Sequence, residues 1–440
     1  MRTMARYVHT PLLARGVRRL ALALSTVAAI IVLIVPTFAW ASGGAQLWAS
    51  QFVGPSGGGI THLAVAPDGR RVYVTGVSEG PTGKDFETLA YSAATGIQKW
   101  AARYTGPNDF LSDDEPVGIE VSPDGSTVFV AGFSKGDGTG FDWATIAYDA
   151  RTGAERWVAR YNDPANSTDE AYSLGVSPDG RLVFVAGSYR PSPPYQMEGT
   201  VIAYNADSGA QVWQMDFPRI ATGLAVDPTG GSLYVASYLG TVALEASSGN
   251  ELWESPVTGE LVANPSGSFL FVRGTSEVTT LSSATGAEIW ATAVKGIAFS
   301  SLAASDDRVF TTGSDSSYGP GIDYVTQALD ATTGAKLWTR RIADPALDQF
   351  PGALAVSTTG AYLYVTGTRY DPNDPKASCM LTVAYDATTG HQRWTAQFTI
   401  GSVRKGYGGA YTLGVSRDGS RVFVGGAAKH EFETLAYTAP

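Results

Sequence analysis

The repeat that decides the fold is clearest at residues 117–132, which read VGIEVSPDGSTVFVAG, and at residues 144–157, which read ATIAYDARTGAERW. An apolar, β-branched segment lies on each side of the Ser-Pro-Asp-Gly turn, and another pair lies on each side of the Thr-Gly turn. Proline presets the backbone of the first turn and glycine adopts positive φ in both, so each half predicts a β-hairpin. The whole unit therefore predicts four antiparallel strands.

Both turns recur along the chain. The first appears as APDG at 66, SPDG at 122 and 177, DPTG at 227, NPSG at 264, SDD at 305, STTG at 357 and SRDG at 416. The second has a tryptophan four residues after its glycine, at Trp48, Trp100, Trp157, Trp213, Trp253, Trp290, Trp338 and Trp394. Eight copies of each predict an all-β fold, a single eight-bladed β-propeller of four-stranded antiparallel blades, with these tryptophans as structural contacts between blades.

The last repeat is incomplete, and the missing strand is at the other end of the chain. Residues 432–440 read FETLAYTAP and stop before a Thr-Gly turn and its tryptophan strand. Residues 43–48, GGAQLW, match that missing position. The sequence therefore predicts that the ring is closed by pairing the N-terminal strand into the last blade, which leaves no free sheet edge at the junction.

The N-terminal segment has the pattern of an export sequence. Five arginines precede an apolar run at residues 20–38, and Ala-Trp-Ala follows at residues 39–41. This order predicts a signal peptide over residues 1–41, and the length of the run leaves an N-terminal membrane anchor as the alternative. The propeller then occupies residues 42–440, and we expect it in a secreted, periplasmic or cell-surface location.

The composition of the chain excludes several classes of partner and site. Its 440 residues carry a net charge of −10, and without the five arginines of residues 1–41 there are 26 basic side chains against 41 acidic ones. That excess disfavours nucleic acids and anionic membranes as partners of the propeller, so we expect membrane contact only through an uncleaved N-terminal segment. Cys379 is the sole cysteine, which excludes an internal disulfide, and no pair of histidines has the spacing of metal ligands.

Three segments carry a family resemblance. AYDARTGAERW at 147–157, ALDATTGAKLW at 328–338 and AYDATTGHQRW at 384–394 resemble the repeat of PQQ-like, quinoprotein-type β-propellers, and the SPDG and VFVAG half resembles YVTN-type surface propellers. The resemblance covers residues 43–440 and implies the propeller fold. It implies no single function, because such repeats occur in quinone-dependent dehydrogenases and in non-catalytic scaffolds such as the propeller of the outer-membrane assembly machine.

The dehydrogenases of this type carry features that the sequence does not match. Their quinone lies over a vicinal disulfide, which Cys379 alone cannot form. No segment matches their calcium-binding set or their catalytic aspartate. The resemblance therefore transfers no catalytic residue, and what does match, the glycine and the tryptophan, concerns the architecture.

The two faces of the predicted ring differ. The SPDG and Thr-Gly turns lie on one face, the short-turn face, and they are uniform. The other face, the long-loop face, carries connections that are almost absent from blades four and five but long elsewhere, at 79–85, 134–142, 189–198, 315–323 and 369–379. We expect a raised wall with a gap at blades four and five, a shape suited to an elongated partner.

Acidic residues gather on the long-loop face. They comprise a pair before blade two, an equivalent pair before blade three and three aspartates that precede an aromatic residue. The candidate binding residues are Asp114, Glu115, Asp169, Glu170, Asp85, Asp142, Trp143, Asp323 and Tyr324. Two interpretations stay open, a site for a cation or basic peptide and a set of solvated loops inherited with the repeat.

Two functions from different classes fit the sequence. The favoured one is an exported, non-catalytic scaffold that binds a protein, peptide or glycan partner on the long-loop face and uses no cofactor. The alternative is a quinone- and calcium-dependent oxidoreductase of the quinoprotein type, which would bind pyrroloquinoline quinone and calcium.

Overall fold

The computed structural model describes residues 43–54, 57–80, 83–107, 112–190, 197–294, 298–316, 321–344, 347–371, 373–374, 378–400, 408–428 and 431–440. The signal peptide or anchor predicted for residues 1–41 lies outside the described residues, as do parts of four of the five long loops. Within the described ranges, no helix is long and apolar enough to cross a membrane.

The described residues form eight blades of four antiparallel strands, as predicted. The first strands are β2 Gly58–Val65, β7 Glu115–Val121, β11 Glu170–Val176, β15 Ala221–Val226, β19 Glu260–Ala263, β23 Ala298–Ala304, β27 Asp348–Val356 and β31 Gly409–Val415. The second strands are β3 Arg71–Gly80, β8 Thr127–Lys135, β12 Leu182–Tyr189, β16 Ser232–Ser237, β20 Phe269–Arg273, β24 Arg308–Asp315, β28 Tyr362–Tyr370 and β32 Arg421–Ala428.

The third and fourth strands complete each blade. The third strands are β4 Gly83–Ser92, β9 Phe141–Asp149, β13 Glu198–Asn205, β17 Thr241–Glu245, β21 Glu277–Ser282, β25 Asp323–Asp330, β29 Cys379–Asp386 and β33 Glu431–Thr438. The fourth strands are β5 Gln98–Tyr104, β10 Glu155–Tyr161, β14 Gln211–Phe217, β18 Glu251–Ser255, β22 Glu288–Ala293, β26 Lys336–Ile342, β30 Gln392–Thr399 and β1 Gln46–Phe52. One further short strand, β6 Ser112–Asp113, pairs with β4 in parallel.

The first strands lie side by side around the whole ring, so they form the wall of the central channel. The ring closes as the sequence predicts, because β1 pairs antiparallel with β33 in blade eight, from Gln46 opposite Tyr437 to Phe52 opposite Phe432. β1 has an irregularity before Trp48, and β10 has the same irregularity before Trp157. The N-terminal strand thus occupies the position that a fourth strand has in an ordinary blade.

The hydrophobic core is divided into layers between neighbouring blades. In the layer between blades one and two, Tyr73 and Phe86 of the first blade pack with Val128 and Ile146 of the second. The other layers have the same composition of β-branched, aromatic and alanine side chains. Each blade therefore buries its two faces only when it has a neighbour on both sides.

The repeat tryptophans cross these layers. Seven of the eight donate the indole N–H to a backbone carbonyl oxygen of the next blade, as Trp100 does to Ala150 at 3.0 Å. The indole N–H of Trp394, at the junction with blade eight, has no acceptor among the described residues. A buried tryptophan removes ~200 Å² from water, an upper bound of ~5 kcal/mol each.

The glycine of each Thr-Gly turn lies against the tryptophan of the preceding blade. A Cβ placed on Gly96 would lie 2.7 Å from Cδ2 of Trp48, and one on Gly153 would lie 2.6 Å from Cδ2 of Trp100. The φ angles of the two glycines are 69° and 74°, a region that side chains disfavour. The motif therefore requires glycine for two reasons, the turn and the close approach.

The two reasons can be separated in blade one. Gly96→Ala introduces both the φ strain and the contact with Trp48, whereas Gly69→Ala introduces the strain alone, since φ is 68° there and nothing lies within 4 Å of the added carbon. In denaturant unfolding we expect Gly69→Ala to lower the free energy of unfolding by about 1 kcal/mol, and Gly96→Ala to lower it by a further ~1–3 kcal/mol. Equal losses of stability in the two variants would contradict a stabilising role for the contact between Gly96 and Trp48.

Candidate functional site

The long-loop face is lowest at blades four and five, as the loop lengths predict. Residues 238–240 connect β16 to β17 and residues 274–276 connect β20 to β21, whereas residues 136–140 connect the corresponding strands of blade two. The strands are shorter as well, with 6 residues in β16 and 5 in β20 against 8 in β12 and 8 in β24 of the neighbouring blades. Blades four and five therefore form a depression between taller neighbours.

Three of the predicted acidic residues pair with arginines. Arg103 Nε donates to Asp85 Oδ2 at 2.7 Å, and Arg160 Nη2 donates to Asp142 Oδ2 at 2.9 Å. In the same way, Arg341 Nη1 donates to Asp323 Oδ2 at 2.8 Å. The three aspartates are buried, so their charges are balanced inside the blade. The sequence contains the signal, because each arginine lies three residues after a repeat tryptophan and 18 after its aspartate.

The two predicted aromatic residues lie between blades. Trp143 is fully buried and its indole N–H donates to the Ser188 carbonyl oxygen at 3.2 Å. Tyr324 is 1% exposed and its hydroxyl donates to the Phe350 carbonyl oxygen at 3.1 Å. A ligand on the surface reaches neither ring, because each packs in the layer between two blades.

Asp114 and Asp169 hold the connections that enter blades two and three. Asp114 accepts the backbone N–H of Gly106 at 2.7 Å and that of Lys135 at 2.9 Å, and Asp169 accepts the N–H of Asp163 at 2.8 Å. Both are fully buried. Burial raises the pKa of both carboxyls, that of Asp169 to about 7. These carboxyls therefore order the backbone of the long-loop face from within.

Glu115 and Glu170 are the predicted acids that stay accessible at the channel mouth. Lys84 Nζ lies 2.6 Å from Glu115 Oε1, and the Tyr172 hydroxyl donates to Glu170 Oε2 at 2.7 Å. The two glutamates occupy equivalent positions at the starts of β7 and β11. Glu115 and Glu170 thus lie at the inner rim of two adjacent blades.

Two exposed apolar side chains lie in the depression, and the sequence analysis did not single them out. Tyr238 is 67% exposed and Leu239 is 51% exposed, at the tip of the β16–β17 hairpin. We call these two residues the gap patch. A turn of this kind usually carries Gly, Asn or Asp, so Tyr-Leu at a three-residue tip was the available signal.

The surroundings of the gap patch are acidic. On the long-loop side, residues 214–294 carry four acidic side chains, Asp216, Glu254, Glu260 and Glu277, and two basic ones, Arg219 and Arg273. At the long-loop ends of the nearby strands, Asp216, Glu254 and Glu277 are exposed. Arg273, one of the two basic residues, donates through Nε to the Glu260 carboxylate at 2.9 Å. The depression therefore combines an apolar tip with a negative field.

One carboxyl lies in the channel wall. Glu120 of β7 is exposed to the central channel, and desolvation by the surrounding protein raises its pKa to about 7. The residues aligned with it in the other blades are small or apolar, namely Ala64, Gly175, Ala225, Val262, Ala303, Ala355 and Gly414. Burial also lowers the pKa of His62, on β2, to about 4. The described part of the chain holds no group of three or more His, Cys, Asp or Glu that could bind a metal ion.

Comparison with known proteins identifies a family and several relatives. The model of the family described as outer membrane protein assembly factor BamB matches residues 37–189, 197–268 and 262–429. The serine/threonine-protein kinase AfsK of Streptomyces griseus is 34% identical over 128 residues. That match covers 27% of this chain and 14% of the kinase, so the chain is similar to a small part of it.

Three solved structures are similar in fold. BamB from Moraxella catarrhalis is 17% identical with a TM-score of 0.53, over 90% of this chain and 99% of that one. Sqt1 from Chaetomium thermophilum, bound to the N-terminus of ribosomal protein L10, is 13% identical with a TM-score of 0.61, over 88% and 98%. Quinohemoprotein alcohol dehydrogenase from Comamonas testosteroni is 13% identical with a TM-score of 0.56, over 90% and 76%. At these identities the likeness concerns the fold.

Glu87 provides a test of the buried charges near the Asp85–Arg103 pair. It is 4% exposed, and burial raises its pKa to about 7, against which Arg103 acts. Because the pKa of Glu87 is higher in the folded protein than in the unfolded chain, the contribution of its carboxyl to stability is complete at acidic pH and is lost as the pH rises through about 7. We expect Glu87→Gln to unfold like the parent at pH 4.5 but to be more stable at pH 8, by up to ~3 kcal/mol.

Urea unfolding at the two pH values measures this difference. The exposed Glu254→Gln is the control and should change stability equally at both. A Glu87→Gln effect that does not depend on pH would contradict the assignment.

Proposed function

This chain belongs to the family of the outer membrane protein assembly factor BamB, and from that membership we propose that it is an exported, non-catalytic scaffold that binds a protein partner on its long-loop face. The observation that carries the proposal is the gap patch. Two large apolar side chains, Tyr238 and Leu239, are more than half exposed in the lowest part of that face. Exposed apolar groups in a depression with a polar surround are typical of a protein-binding surface.

The chemistry of the depression favours an extended, basic segment with an apolar anchor. Tyr238 supplies a large aromatic contact area, and the negative field from Asp216, Glu254 and Glu277 attracts lysine or arginine side chains and speeds association. Of the predicted contacts at the channel mouth, Glu170 would extend this field, whereas Lys84 offsets the charge of Glu115. Among the neighbours in fold, Sqt1 holds the N-terminus of another protein, which supports a protein segment as the ligand.

Export and orientation form the second part of the proposal. Residues 1–41 would act as a signal peptide or an anchor, and Gly43 and Gly44 follow after Ser42, at the Thr-Gly position of blade eight. That position is on the short-turn face. The long-loop face would therefore point away from a membrane to which an uncleaved segment held the chain.

The residues present bear on the quinoprotein alternative. A quinone site of that type needs calcium ligands, and the described ranges contain no cluster of three acidic, histidine or cysteine ligands. Cys379 is buried at 5% exposure, and burial raises the pKa of its thiol. Neither feature supports a site for pyrroloquinoline quinone and calcium, which favours the scaffold over the quinoprotein alternative.

The gap patch is tested by the double variant Tyr238→Ser/Leu239→Ser. The two side chains are exposed, so we expect the variant to fold with an unchanged melting temperature but to bind a panel of basic, apolar-anchored peptides at least about 10-fold more weakly, as removal of a binding hot spot does. Fluorescence anisotropy measures the affinities, and pull-down from the envelope fraction identifies the natural partner.

The matched control is Leu252→Ser, which removes an equally exposed aliphatic side chain, 53% exposed, from the outer strand β18. Binding that Leu252→Ser weakens as much as the double variant would point to general surface hydrophobicity. If the chain binds glycans and does not bind the peptides, the partner is a glycan and the proposal of a protein partner is wrong.

The absence of quinone chemistry is tested separately. Pyrroloquinoline quinone and calcium are added to the purified chain, and the melting temperature and the reduction of an electron-accepting dye with alcohols or sugars are measured. We expect no upward shift and no turnover. A shift of several degrees together with substrate-dependent dye reduction would establish the oxidoreductase instead.

A further inference from the structure

A cleft of about 640 Å³ opens on the short-turn face between blades eight and one, where the two ends of the chain meet. We call it the seam cleft. Its lining includes Arg70, Ser92, Ala94, Arg417, Asp418 and Arg421. Three guanidinium groups therefore share one cleft in a protein whose overall charge is negative.

These guanidinium groups are weakly engaged within the protein. The nearest carboxylate to Arg70 belongs to Asp68, at 3.9 Å, and the Arg70 side chain is 86% exposed. Neither Arg417 nor Arg421 forms a side-chain ion pair within the described ranges. The Asp418 carboxylate accepts the hydroxyl of Ser416 at 2.6 Å, and Arg421 interacts with that carboxylate electrostatically without an ion-pair contact. The arginines of the seam cleft are thus available to an external anion.

Blade one also lacks an internal anion that other blades have. In blades two, six and seven, an aspartate at the end of the third strand accepts a hydrogen bond from the backbone N–H two residues later. The Arg151 N–H donates to Asp149 at 3.1 Å, and the N–H groups of Thr332 and Thr388 donate in the same way to Asp330 and Asp386. Asn205 does the same in blade three. Blade one has Ser92 at this position, and the N–H of Ala94 has no acceptor among the described residues. The seam cleft therefore contains an N–H donor where blades two, three, six and seven hold a side-chain oxygen, and blade five has a serine at the same position, Ser282.

The equivalent clefts elsewhere on this face differ in charge. The cleft between blades two and three, of about 430 Å³, is lined by Asp124, Asp179 and Asp207 with Arg181 alone to oppose them. The cleft that includes Asp306 and Asp307 has Arg308, which pairs with Asp307. Of these three clefts, only the seam cleft has more basic than acidic side chains.

We propose that the seam cleft is a binding site for a phosphate group. Guanidinium groups present paired N–H donors that match phosphate oxygens, and a free backbone N–H adds a neutral donor of fixed direction. The phosphate would take the place that the aspartate carboxylate occupies in blades two, six and seven. Its position on the short-turn face separates it from the protein-binding depression, so this site is independent of the proposed function.

Two sources of phosphate are compatible with this chemistry, a soluble phosphate ester and a phospholipid headgroup. The start of the described chain lies on the same face, because Gly43 and Gly44 pack against Trp394 at the Thr-Gly position of blade eight. A headgroup would reach the seam cleft if the preceding segment holds this face near a membrane. A soluble ester would reach it in either case.

The experiment compares the full chain with three variants. Arg70→Ser/Arg417→Ser removes two guanidinium groups from exposed turns. Ser92→Asp supplies the carboxylate that blade one lacks and keeps all three arginines. Arg181→Ser is the matched control, because Arg181 has the position of Arg70 in the acidic cleft between blades two and three. Inorganic phosphate is titrated by calorimetry at about 0.15 M ionic strength, and vesicles of phosphatidylglycerol or phosphatidylcholine are tested by flotation.

We expect the double variant and Ser92→Asp each to weaken phosphate binding at least about 10-fold, and Arg181→Ser to leave it unchanged. Loss of flotation with phosphatidylglycerol in the same two variants would identify the headgroup as the source, and phosphate binding without that loss would identify a soluble ester. The leader is present in every variant, so flotation is compared between phosphatidylglycerol and phosphatidylcholine vesicles after the parent is shown to float with the former and not the latter. Absence of phosphate binding in the parent, equal loss in Arg181→Ser, or unchanged binding in Ser92→Asp would overturn the proposal.

Discussion

The contact between a tryptophan of one blade and the turn glycine of the next is the interaction on which the rest of the structure depends. A four-stranded blade has two apolar faces and cannot bury them without neighbours, so stability comes from the layers between blades. The tryptophan fills the layer, its N–H reaches a carbonyl oxygen across it, and the glycine allows the turn to approach. The arrangement is repeated around the ring, and at blade eight it brings Gly43 and Gly44 onto Trp394. Closure by the N-terminal strand therefore repeats the packing of a turn glycine on the tryptophan of the preceding blade, although the Trp394 N–H has no acceptor among the described residues.

Repetition also explains which features belong to the scaffold. The Asp–Arg pairs recur in blades one, two and six with the same separation, and blade eight has Gln51 and Glu431 in the same relation. A feature that recurs at one position of the repeat is explained by the repeat, because every blade meets the same packing problem. The gap patch, Glu120 and the seam cleft depart from their equivalents in other blades. Such departures are where a function particular to this chain should be sought.

The two faces of the ring then have different characters. The long-loop face combines an apolar tip with a negative field at blades four and five. On the short-turn face, the seam cleft has more basic than acidic side chains, whereas the two clefts compared with it have more acidic ones. A propeller separates such surfaces across the thickness of its blades, so each face can carry its own ligand without contact between the sites. The family membership is compatible with this division, since it establishes the architecture and leaves ligand choice to the individual blades.

The repeat count, the four-stranded blades and the shared eighth blade could all be read from the sequence, because turn glycines and tryptophans act through local geometry and recur at a countable period. The depression at blades four and five followed from loop lengths for the same reason. The interaction partners of individual charged side chains, in contrast, could not be read from the sequence. Asp85, Asp142 and Asp323 looked like surface acids, but the fourth strand brings an arginine to each, and Trp143 and Tyr324 turned inward because the next blade covers them. Whether a carboxylate faces water, an arginine or a backbone N–H depends on what strands distant in sequence place beside it, and only the folded ring decides that.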